Sequence, residues 1–182
     1  RRAVWAGRRL QAMRRHHGTR RTAQWGVKEP TAHLFLPALH RAFPEMTYVH
    51  VMRDPKDYAT VPHNQFTLWS RAFPELQLRG HGSLVANQLH WWAAMNGRAL
   101  AVTDALGIPC LVVRLEELVR TPHPTIRRLA SFVGRPLASS ATAALASLIE
   151  RPASLGRAGH LNVQDIGGRT LADDVVRLGY GR

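Results

Sequence analysis

Thr47-Tyr-Val-His-Val-Met-Arg-Asp-Pro-Lys-Asp57 decides how this chain is built, because local rules alone turn it into a strand, a corner and a helix. Thr47 to Met52 reads as a short buried strand. Asp54 is then suited to cap a helix, and Pro55 falls at the first helical position, where its missing N–H and fixed φ cost nothing. A helix that starts there gathers its free N–H groups and positive dipole end where the strand stops, and Arg53 adds a fork of donors matched to phosphate or sulfate. The plainer alternative is that Asp-Pro only turns the chain and Arg53 is a solvated surface charge.

Upstream, Thr31 is placed to cap a helix running to about Ala42; downstream, Pro62 should stop or kink the helix that begins at Pro55. Residues 63–82 mix His, Asn, aromatic and turn residues without periodicity, which predicts an irregular insertion or lid on the substrate side. Ser83 caps a long helix carrying Leu84, Val85, Leu89, Trp92, Ala93, Leu100 and Leu106, and Gly107-Ile-Pro109 turns into a second strand, Cys110 to Arg114. Helices follow over 124–133, ended by Gly134, over 139–150, and over 163–178, the last weakened by Gly167-Gly168 at roughly 1 kcal/mol per glycine. Strands separated by long helical connections predict an α/β fold, with a central parallel sheet flanked by helices. Residues 1–21 carry Val4, Trp5, Leu10 and Met13 at helical spacing among many arginines, so they read as a basic helical segment whose apolar stripe packs on the domain.

The chain has 182 residues, 45% of them hydrophobic, enough for one domain over 1–182 with its own core. A formal net charge of +13 attracts polyanions but does not choose among nucleic acid, anionic lipid, a sulfated glycan and a bisphosphate nucleotide. The single cysteine, Cys110, excludes an internal disulfide and sits in an apolar run, which predicts a buried, inert thiol. No run of about 18 apolar residues offers a membrane span. No secretory signal is recognisable, so localisation defaults to the cytoplasm, with a lost signal or anchor left open. The histidines lack a metal-ligand spacing such as H-E-x-x-H, and no metal is expected.

Several short pieces stand in a telling order around the corner: Trp25-Gly-Val-Lys-Glu-Pro30, Phe43-Pro44, Arg53-Asp-Pro, Leu111-Val-Val-Arg-Leu-Glu-Glu-Leu-Val119, Phe132-Val-Gly134, Ser154-Leu-Gly-Arg157 and Leu178-Gly-Tyr180. This order resembles the sulfotransferase family that uses 3′-phosphoadenosine 5′-phosphosulfate (PAPS), particularly its bacterial and Golgi-type branches. The resemblance implies a P-loop-containing nucleotide-hydrolase-like fold, PAPS as donor substrate and transfer of a sulfuryl group to a hydroxyl or amine acceptor, whether carbohydrate, lipid or small molecule. It also exposes a departure, since relatives begin with a strand and a P-x-S-G-T-T phosphate loop that nothing here matches. The expectation is therefore a C-terminal part of a sulfotransferase domain, incomplete at its N-terminus and inactive as given. The competing expectations are a non-catalytic remnant that binds polyanions and a basic nucleic-acid-binding module. The latter rests on charge alone, and no specific nucleic-acid signature supports it.

By the same resemblance, Lys28 is a ligand of the transferring group, Arg53 grips the 3′-phosphate, and Gly156 and Arg157 close over the nucleotide. Where relatives place a serine for the 3′-phosphate this chain has Val61, so Thr60, one residue early, is the candidate hydroxyl. Ala158 stands where relatives have tryptophan, and Leu115 where they have tyrosine. Arg114 and Glu116 read as structural, paired with each other. For the general base, Glu29, His33 and His63 are available, and His33 is taken as the catalytic candidate beside Lys28.

Overall fold

The β-branched and aromatic residues after Thr47 form a strand, Tyr48–Met52 (β1), paired in parallel with Cys110–Arg114 (β2), Tyr48 opposite Cys110 and Met52 opposite Arg114. This is seen in a computed structural model that describes residues 8, 11, 12, 15, 26–61, 66, 69–72 and 80–181. Parallel neighbours need a long crossover. The helices are α1 (Leu36–Ala42), α2 (Pro55–Ala59), α3 (Leu84–Ala105), α4 (Leu115–Arg120), α5 (Pro122–Phe132), α6 (Ser139–Ala146) and α7 (Val163–Arg177). The architecture is α/β, a small parallel sheet with helices packed around it.

The crossover helix α3 organises the core. Its start is fixed by the Ser83 hydroxyl, which accepts from Ala86 N at 3.1 Å. Consecutive helical residues lie about 100° apart, and so Trp91 and Trp92 serve two different apolar clusters. Trp91 and Met95 pack with Leu34, Phe35 and Phe66; Leu89, Trp92 and Ala93 pack with Met52, Ala59, Leu171 and Val175. A helix clothed on both sides in this way belongs to the interior, and α2 and α7 both lean on it.

Several elements differ from the sequence expectation. The helix expected from Thr31 is split into a 3-10 turn, Ala32–Leu34, and α1, because Pro37 has no N–H to continue a helix and is tolerated only in a first turn. Thr31 does not cap; its hydroxyl donates to Glu29 Oε1 at 2.8 Å. The short helix α4, unforeseen, follows β2 without a loop. The expected helix over 139–150 stops at Ala146, leaving Leu148 exposed. In α7, Gly168 adopts φ 79°, ψ 176°, a conformation closed to residues with a Cβ, so the glycine pair breaks the helix into two pieces rather than merely weakening it.

Of the expected lid over 63–82, the described Phe66 is buried against Trp91, and Trp69 packs edge-on against Phe35 at 5.5 Å between centroids. These residues belong to the core. His63 lies outside the described residues, as does the expected basic helix over 1–21 apart from Arg8, Gln11, Ala12 and Arg15, which are helical.

Because Leu89 is wholly buried where α3 meets β1 and α7, Leu89→Ala is expected to lower stability by about 3 kcal/mol through lost burial and a residual cavity. Urea denaturation checks this, and a loss under about 1 kcal/mol would mean that this face of α3 is not the packed centre.

Candidate functional site

At the end of β1 the chain turns as Asp54-Pro55 dictate, and the Asp54 carboxylate accepts from Lys56 N at 2.8 Å and from Asp57 N at 3.3 Å. Those donors are therefore occupied by the cap itself. The Asp54 N–H donates in turn to Glu116 Oε1 at 2.8 Å. With α2 only five residues long, the corner does not offer an anion the ring of free backbone donors expected of it. What remains is the Arg53 side chain. Its Nη2 donates to the Ser154 carbonyl at 2.7 Å, while its Nε is buried without a partner. The Arg53 carbonyl accepts from the Trp92 indole at 3.0 Å, fixing the corner to α3.

Asp57, four residues after Arg53, carries the second connection. Its carboxylate accepts from Gly156 N and, at 3.0 Å, from Ala158 N, and lies 4.0 Å from Arg53 Nη2. The residue is 1% exposed. Gly156 meets this bond with φ 79°, which a residue bearing a Cβ rarely adopts. The neighbouring Arg157 side chain is left exposed. The structure thus brings Arg53, Gly156 and Arg157 to one place, although a hundred residues separate the first from the others. Sequence reasoning missed Asp57; the i, i+4 spacing from Arg53 was the one available signal.

A third connection comes from the chain's last described turn. Tyr180 Oη donates to Glu116 Oε2 at 3.1 Å, and its ring packs edge-on against Trp92 at 5.4 Å. Burial, then the Glu116 charge and bond, push the Tyr180 phenol well above its usual range. Arg114 does not pair with Glu116 as expected: it lies over the Tyr180 ring at 5.5 Å and donates to the Leu178 carbonyl at 3.3 Å. On a parallel strand running straight into α4, the two side chains diverge to separate partners. Both have structural roles.

The remaining candidates are not drawn into these bonds. Lys28 is exposed on the segment before the 3-10 turn. The Thr60 hydroxyl has its proton directed back at its own helix, toward Lys56 O at 3.2 Å and Asp57 O at 3.3 Å. Val61 is half-buried, and its carbonyl and that of Ala59 face the buried Gln88 carboxamide, which donates to them at 3.0 and 2.8 Å when its amide is oriented with the nitrogen toward them. Gln88 thereby closes the end of α2, a role with no local signature.

His33, on the 3-10 turn Ala32–Leu34, lies near a buried polar chain. His50 is 4% exposed, with Nε2 at 2.8 Å from Asn96 Oδ1 and Nδ1 at 2.9 Å from Tyr48 Oη. Because Asn96 Nδ2 donates to Trp92 O at 2.7 Å, its Oδ1 must accept. The His50 proton therefore resides on Nε2, and Nδ1 accepts from the tyrosine. The His33 and His50 rings are 6.4 Å apart. Desolvation, reinforced by His50, lowers His33 to about 4, and desolvation lowers His50 as well. At neutral pH His33 is uncharged and weakly basic, a poor match for general-base work. Cys110 is half-buried rather than fully buried, and burial raises its thiol pKa.

Among the described residues no three His, Cys, Asp or Glu side chains are grouped to hold a metal ion, and no helix is long and apolar enough to cross a membrane. A family model described as the sulfotransferase family matches residues 2–139, more than half of the chain. The matched span contains Lys28 and the Arg53 corner; the 154–158 loop and Tyr180 lie beyond it. No significant match was found among curated proteins or among solved structures.

The two depressed histidines set a direction for stability against pH. The unfolded chain takes up protons near 6.5, the folded chain only near 4 at His33, so stability is full above about 6.5 and is lost as pH falls toward 4. His33 alone should account for about 3 kcal/mol over that window. Chemical denaturation at pH 7.5, 5.5 and 4.2 measures it, and His33→Gln should flatten the slope. An unchanged slope would place the acid sensitivity elsewhere.

Proposed function

This chain belongs to the sulfotransferase family, and we propose that it takes part in sulfuryl transfer from PAPS to a hydroxyl-bearing acceptor. The fold would then be the P-loop-like α/β arrangement of such enzymes, and the corner after β1 the side of the donor site that faces the nucleotide 3′-phosphate. The observation that carries this reading is the bond between Arg53 and the Ser154 carbonyl, which sets the corner guanidinium beside the Gly156–Arg157 loop. Two arginines from distant segments can then flank one phosphate, Arg53 offering its remaining guanidinium donors and Arg157 an exposed charge.

PAPS supplies the chemistry when bound: a sulfuryl group on a phosphate leaving group. The S–O bond to that phosphate breaks as the bond to the acceptor oxygen forms, so negative charge grows on the bridging oxygen. Lys28, a compact exposed cation, is the residue assigned to neutralise it. Thr60 is left out of the phosphate grip because its proton is committed to its own helix. His33 is left out of proton transfer because its basicity is suppressed. The proton released by the acceptor hydroxyl passes to solvent.

Adenosine 3′,5′-bisphosphate, the product nucleotide, is the direct probe. Calorimetric titration should show binding that Arg53→Ala weakens by about 2 to 4 kcal/mol, the cost of losing a charge-assisted phosphate contact. Equal affinity in the two proteins would remove the corner from the site. Lys28→Ala should leave bisphosphate affinity nearly unchanged, since that ligand carries no sulfonate, while depressing radiolabelled sulfate transfer wherever transfer is measurable.

A further inference from the structure

We propose that Asp57 is a positioning residue, whose buried carboxylate sets the 154–158 loop so that Arg157 is held across the corner from Arg53; as a statement about ligand binding this rests on the donor reading above. A loop that presents two N–H groups to one point looks like a phosphate cradle. In this chain the cradle is already filled from within, because Gly156 N and Ala158 N both donate to the Asp57 carboxylate. A ligand phosphate therefore has no claim on these donors. What the loop contributes outward is the residue between them, Arg157, whose side chain is exposed while Ala158 is 1% exposed.

The same carboxylate faces Arg53 Nη2 at 4.0 Å, and that nitrogen also binds the Ser154 carbonyl at 2.7 Å. Asp57 thus touches both members of the arginine pair: Arg53 through charge, Arg157 through the backbone on either side of it. An asparagine has the same shape and only one acceptor oxygen. It would leave one loop N–H facing an amide nitrogen, and that donor is buried in the case of Ala158. The loop would then be released and Arg157 would lose its set place.

Hydrogen exchange and nucleotide titration on the whole chain test this together. In the wild type, the Gly156 and Ala158 amides should exchange slowly. Asp57→Asn should speed both, and weaken adenosine 3′,5′-bisphosphate by about 10- to 100-fold, in keeping with an unpaired buried donor. In an Arg157→Ala background the same change should cost less than about 3-fold, because residues that act through one another are non-additive. A purely structural carboxylate would give losses that multiply independently, and that result overturns the proposal. So does unchanged amide exchange in Asp57→Asn. Should that variant fail to fold, exchange in the wild-type chain decides, since unprotected amides at 156 and 158 rule the latch out. Failure of the wild type to bind the bisphosphate sinks the donor reading instead, while slow exchange at the two amides still supports the latch itself.

Discussion

A strand that ends inside a protein leaves backbone donors that must be paired, and here carboxylates answer that need. Asp54 takes the first N–H groups of α2, Glu116 takes the N–H of Asp54, and Asp57 takes two from a loop about a hundred residues away. The chain has 12 acidic residues against 25 basic ones, so committing three of them to one corner is a strong local bias. These carboxylates are buried or half-buried and each oxygen that is engaged meets an N–H or O–H, which is the condition under which burying a charge is tolerable. Everything else about the site is referred to this arrangement, including the direction in which Arg53 points.

The large positive charge takes on a more specific meaning in this light. Spread over exposed arginines it makes the surface attractive to any polyanion. At the corner, positive charge is fixed instead by neighbouring acids and carbonyls, and Arg53 is ordered before any ligand arrives. Fixed charge costs less to use than mobile charge, because the side-chain entropy is already lost. Arg157 differs: its backbone is held while its side chain stays in solvent.

Much of this fold could be read from the chain beforehand, and most of what could not depends on bonds between segments distant in sequence. The strand after Thr47, the Asp54 cap, the Ser83 cap and the second strand at Cys110 obey rules that involve residues within a few positions of one another, and each appears where those rules put it. The split at Pro37 and the break at Gly168 were also written locally, but as competition between a helical pattern and a residue that resists it. The bonds of Asp57, Gln88, Tyr180 and His50 join segments distant in sequence. No periodicity announces such a bond. The expected free helix N–H donors are absent for a local reason instead: the cap that starts the helix also consumes them. Burial likewise decides the character of His33, and nothing in its neighbours along the chain reveals it.

The distances in sequence spanned by these bonds bear on how the molecule is assembled in time. Arg53 meets Ser154 across 101 residues, and Asp54 meets Glu116 across 62. Closing loops of that length costs entropy that only later contacts repay, whereas α3 meets α2 and the 3-10 turn at Ala32–Leu34 across shorter stretches of chain. Native pairing at the corner therefore has to wait for these loops to close. Until they close, three carboxylates and an arginine stay solvated, and their unpaired charges are open to competing partners elsewhere on the chain.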